Sequence, residues 1–208
     1  MVKAMLDNAP EEAEARCSYT RTRIDGGESK HERYHAGDVV TSWELVSVDG
    51  RDPTPAELRR YARDGEHRDR RHPLDFDLRS MVDPDHWRLQ SETDSQAVFE
   101  FRLRANEELD ERLVEKVKGV LVLDKQRLQP VRITIENTQP AYVAPLVRVA
   151  EYRQEMRFRW QSAVGASVLT ETETTMRGRA VGLKALRRHK LVRYSDYRCG
   201  GGIADASG

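Results

Sequence analysis

The stretch QAVFEFRLRA, residues 96–105, decides the fold. Phe99, Phe101 and Leu103 recur at every second position, with Glu100, Arg102 and Arg104 between them. A period of two puts one set on one face of a β-strand and the other set on the opposite face. The same phase runs through Val117, Leu121 and Leu123, and through Val131, Ile133 and Ile135. Met156, Phe158 and Trp160 alternate with Arg157 and Arg159, and Trp43 and Leu45 stand opposite Ser42 and Glu44.

Outward from this stretch the pattern repeats. HWRLQSE (86–92), LVEKVKGVLVLD (113–124), PVRITIEN (130–137), LVRVAEYRQEMRFRW (146–160), SVLTETETTM (167–176) and KLVRYSDYR (190–198) are rich in β-branched and aromatic residues. Toward the N-terminus, CSYTRTRI (17–24) and ESKHERYH (28–35) flank Asp25-Gly26-Gly27, whose glycines supply the positive φ angles of a hairpin turn. DVVTSWELVSV (38–48) is a further strand, closed by Asp49-Gly50. Short connections, among them a polar turn over Asp124–Gln129 and another at Gly165, predict an antiparallel meander of about ten strands rather than βαβ crossovers.

Helical signals are few. Val2, Met5, Leu6 and Ala9 predict a short first helix, and Thr54 before Pro55 predicts an N-capped helix in PAELRRYARDGE (55–66). Leu74, Phe76, Leu78 and Met81 read partly as strand and partly as a loop plug. The expected fold is therefore mostly β (α+β): a large curved antiparallel sheet with an apolar concave side capped by short helices. A cap this small leaves room for a ligand on that side. One domain over residues 1–199 is expected, followed by a flexible Gly-rich tail at 200–208.

Composition removes several classes. The 208 residues carry 35 basic and 35 acidic side chains, so the global positive field used by most nucleic-acid binders is absent. No apolar run approaches the roughly 20 residues of a membrane-spanning helix. Charged residues reach 34% and apolar ones 38%, which fits strands that give half their side chains to solvent. MVKAMLDNAPEEAEA lacks the apolar core of a secretory signal. Either Met1 is a native start and the protein is cytoplasmic, or a signal preceded this sequence.

The order of elements resembles the LolA/LolB-like superfamily of periplasmic lipoprotein carriers. The helix running into CSYTRTR, the turn DGGES, the two-strand unit VKGVLVLDKQRLQPVRITIE (117–136) with Pro130 opening its second strand, and MRGRAVGLKALRRHKLVRYSDYR (176–198) carry the likeness. The resemblance implies an incomplete β-barrel closed by a helical lid, with acyl chains or another hydrophobic ligand held between them. It also implies an envelope location and a family of carriers, lipid-binding proteins and stress regulators.

The candidate ligand-binding residues are Trp43, Leu45, Phe99, Phe101, Leu121, Leu123, Ile133, Ile135, Met156, Phe158 and Trp160; singly, each is also an ordinary core residue. No GxSxG, P-loop, GxGxxG or HExxH motif is present, so no catalytic residue, metal or cofactor is expected. Glu171 and Glu173 share what reads as the wet face of a strand. His31 and His35 read as solvated strand positions, and His67, His72, His86 and His189 form no constellation. Arg59, Arg60, Arg63, Arg68, Arg70 and Arg71 interleave with acids as solvated pairs. Arg187, Arg188, His189 and Lys190 lack acidic sequence neighbours, which leaves a phosphate or head-group contact open. Cys17 opens the first strand and Cys199 closes the last: reduced thiols in an intracellular chain, or a bridge between the chain ends in an exported one. Three functions follow in order: a non-enzymatic carrier of a hydrophobic ligand, an envelope sensor or interaction module binding a partner polypeptide, and a hydrolase with a non-standard site.

Overall fold

Asp25 and Glu28 face each other across a two-residue turn in which Gly26 and Gly27 both take positive φ, 62° and 92°. Such turns match the right-handed twist of paired strands, and glycine enters them without steric cost. Asp49 (φ 50°) and Gly50 (φ 75°) repeat the device between Val48 and Arg51, whose backbones exchange hydrogen bonds at 2.9 and 3.0 Å. These turns bound β1 (Cys17–Asp25), β2 (Glu28–His35) and β3 (Ser42–Val48). The computed structural model describes residues 17–36, 42–64, 82–104, 114–144, 147–162, 165–180 and 185–199.

The remaining strands are β4 (Val82–Glu92), β5 (Gln96–Leu103), β6 (Val117–Asp124), β7 (Gln129–Asn137), β8 (Ala141–Ala144), β9 (Val147–Gln161), β10 (Ala166–Ala180) and β11 (Ala185–Cys199). They form one 11-stranded sheet in the order β3-β2-β1-β11-β10-β9-β7-β6-β5-β4, with β8 paired to β9. Every pairing is antiparallel; short connections predict this for all but β1 with β11, which meet across nearly the whole chain. β3 and β4 are its two edges and do not pair, so the sheet is not closed into a barrel.

The sequence expectation erred at several ends. β4 begins at Val82, four residues before HWRLQSE, and β10 runs on through Arg177–Ala180. β11 starts at Ala185, and β8 was not anticipated, because AYVA between prolines carries no alternation. The expected first helix, Leu74–Met81 and the tail at 200–208 lie outside the described residues.

The one helix among the described residues is α1 (Pro55–Asp64). Thr54 caps it. Its hydroxyl accepts from the Glu57 N–H at 3.3 Å, while Glu57 accepts from the Thr54 N–H at 2.7 Å. This reciprocal box satisfies two free donors of the first turn. Tyr61 packs with Leu45 and Val48 at the β3 end of the sheet, and Leu58 is exposed. Among the described residues, capping by a helix is thus seen only at one edge. No helix among the described residues is long and apolar enough to cross a membrane.

Register aligns the side chains of one face in rows, buried at Phe99, Leu121, Ile133 and Met156 and half exposed at Leu89. Leu89, Phe99, Leu121, Ile133 and Met156 are successive partners from β4 to β9. The row continues through Thr172, Val192, Arg23 and Lys30 to Val48 on β3. Beside it, Trp87, Phe101, Gly119 and Ile135 lead to Gln154, Thr174, Lys190 and Asp25. The inner face is therefore apolar on β4–β9 and charged on β11, β1 and β2. A uniformly apolar face, as the period-two reading expected, is not what forms.

Candidate functional site

Eight of the candidate residues come together. Phe99, Phe101, Leu121, Leu123, Ile133, Ile135, Met156 and Phe158 belong to one cluster, completed by Val82, Ala97, Leu103 and Leu169. All eight are buried, and Leu121, Leu123 and Ile133 are at 0% exposure. Phe101 occupies the space above Gly119, where an added Cβ would stand 2.1 Å from its ring. The Trp87 ring lies over Phe101 at 4.9 Å between centroids. The Trp87 indole N–H is buried with no acceptor among the described residues.

The other three candidates separate from this group. Trp43 and Leu45 join Val48 and Tyr61 in a second cluster at the β3 edge. Trp160 is 38% exposed near the end of β9, with the Arg127 guanidinium 5.6 Å from its ring centroid.

Charge divides the two clusters. Arg21 donates from Nε to Glu32 at 2.8 Å, and its guanidinium lies 3.9 Å from the Trp43 ring centroid. Burial works to raise the Glu32 carboxyl, but Arg21, then Arg23 and the Tyr61 hydroxyl, outweigh it and hold the pKa below the ordinary range. Tyr19 sits among the rings of Tyr34, Trp43, Tyr194 and Tyr197 at 5.1 to 5.8 Å. Burial pushes the Tyr197 hydroxyl up, and it donates to the Leu169 carbonyl. The sequence did carry this signal: Arg21 and Arg23 share the parity of Tyr19, as Glu32 and Lys30 share that of Tyr34. None of the four was singled out from the sequence.

The opposite face is a lattice of ion pairs. Glu155 accepts from Arg153 at 3.0 Å and Arg157 at 2.9 Å, and Glu171 accepts from Arg157 at 2.7 Å and Arg193 at 2.9 Å. Glu173 faces His189 at 2.9 Å, so both carboxylates expected on the wet face are matched to cations or histidine there. His31 bonds Thr22 at 3.1 Å and His35 faces Glu44 at 3.3 Å. The apparent lack of acids around residues 187–190 is corrected across the sheet: Asp25 accepts from Arg188 at 2.7 Å, and Glu173 serves His189.

Cys17 and Cys199 face one another in the β1–β11 register and form a disulfide. The bridge spans 182 positions and ties the start of β1 to the end of β11.

No family model matches the chain, and no curated protein matches it. Among solved structures it is similar to a DUF1329 family protein from Desulfovibrio piger. The two are 14% identical over 99% of this chain and 93% of that one, with a TM-score of 0.41. A likeness at that level assigns this chain neither a family nor a function.

Proposed function

We propose that the protein is a non-enzymatic carrier or binding protein for a hydrophobic ligand, such as lipoprotein acyl chains, in the bacterial cell envelope. The observation that carries this reading is the unbroken apolar run from Leu89 to Met156 on the inner face of an open sheet. Acyl chains bind such surfaces through burial alone, at about 0.8 kcal/mol per methylene. The Cys17–Cys199 disulfide supports an oxidising compartment, where such bonds persist. The test is saturable uptake of a fluorescent long-chain fatty acid by delipidated protein. Absence of uptake, together with no lipid in the extract, removes the proposal.

A second reading has its own support. The eight clustered candidates are buried already, which is the state expected of a filled core. An envelope sensor or interaction module of the same fold, binding a partner polypeptide, would need no ligand on this face. Such a module would emerge from purification without lipid and decline the fatty acid.

A further inference from the structure

The inner face changes from apolar to cationic at β11 and β1, and there its positive charge is only partly matched. Lys190 is half-buried on this face. Asp25, directly opposite, gives its carboxylate to Arg188 at 2.7 Å. Among the described residues, no carboxylate comes within ion-pair distance of the Lys190 ammonium. Arg23 stands directly across from Lys30, whose own ammonium is taken by Glu28 at 2.5 Å, so this cross-strand neighbour gives Arg23 no counter-charge. The closest ion pair of Arg23 is Glu32 at 3.9 Å, and Glu32 is already held by Arg21 at 2.8 Å. Burial, then Arg23, Arg188 and Arg21, lower the Lys190 pKa. A half-buried ammonium without a partner costs free energy that a bound anion offsets.

We infer that Lys190 and Arg23 form the head-group subsite for a long-chain carboxylate, whose acyl tail runs over Thr174 and Thr172 toward Ile135 and Met156. The inference rests on the hydrophobic-ligand reading above and names the class of that ligand. Register supplies the path: Lys190, Thr174, Gln154 and Ile135 are successive partners. Three strand spacings, about 14 Å, separate the cation from the apolar floor, within reach of a long acyl chain. The Asp25 carboxylate beside Lys190 favours a singly charged head over a doubly charged one.

Equilibrium dialysis of the full chain with palmitate and, separately, with hexadecanol tests this. The two probes share a tail and differ in the charge of the head. Wild type is expected to prefer palmitate, and Lys190→Gln to reduce the palmitate-to-hexadecanol affinity ratio about tenfold, the loss typical of one charge-assisted contact. Arg23→Gln should lower the same ratio. Lys190→Gln removes an unmatched charge, so its thermal midpoint should hold or rise. Equal binding of both probes by wild type, or a ratio unchanged in both variants, overturns the head-group assignment and leaves the hydrophobic-ligand reading standing. Binding of neither probe overturns both.

Discussion

Arg21 and Glu32 stand directly opposite one another on β1 and β2, joined at 2.8 Å, with Glu32 at 0% exposure between two hydrophobic clusters. A buried pair of this kind is retained at a desolvation cost, and breaking it leaves a charge stranded. Glu32→Gln should therefore destabilise the protein by about 3 kcal/mol. Arg21→Met with Glu32→Leu, which removes both charges together, should come within about 1 kcal/mol of the parent. Urea midpoints with unchanged slope decide between these outcomes.

The same pair sets an acid limit. The Glu32 pKa is depressed in the folded state, so its contribution is present above its ordinary value of 4.5 and is lost as pH falls through the lowered folded value. Asp25 and Asp124 are depressed as well, by hydrogen bonds from Arg188 and from the Arg127 backbone respectively, and add in the same direction. Stability measured from pH 6 to pH 2 should fall most steeply in the acid range. The Arg21→Met/Glu32→Leu variant should show a shallower acid limb; an identical limb would contradict this assignment.

The disulfide carries a larger share. In the loop-closure model, a bridge between residues 182 positions apart stabilises by about 5 kcal/mol as an upper figure. Cys17→Ser should lower the urea midpoint sharply, and dithiothreitol should do the same to the parent but not to a double serine variant. Denatured, unreduced protein should show no titratable thiol.

Gly119 is predicted to resist substitution. Phe101 is its direct partner on β5, and the ring fills the space a side chain would need. Trp87 stacks on the same ring, so it has little room to retreat. Gly119→Ala should cost about 1–3 kcal/mol by overpacking. Adding Phe101→Leu should relieve part of that cost, a coupling that a double-mutant cycle reads directly.

What the sequence made legible follows from period and parity. Phe99, Leu121, Ile133 and Met156 lie in one row because strict alternation leaves a single way to face them inward. The turns at Gly26-Gly27 and Asp49-Gly50 were equally readable, since their chemistry is local. Which strands become neighbours was not readable, because pairing β1 with β11 depends on chain closure across nearly the whole molecule. That pairing gives Asp25 to Arg188, brings Cys17 to Cys199 and sets Arg23 near Lys190. Trp160 fell outside the cluster because alternation gives its side of the strand and not how far the covered part of that side extends.

If the inner face carries a hydrophobic ligand, native mass spectrometry of the full chain, purified without detergent, should find it bound. The expected result is a population heavier than the polypeptide by the mass of an acyl ligand, lost on organic extraction and restored when palmitate is supplied. A single species at the polypeptide mass, unchanged after incubation with palmitate, would contradict it.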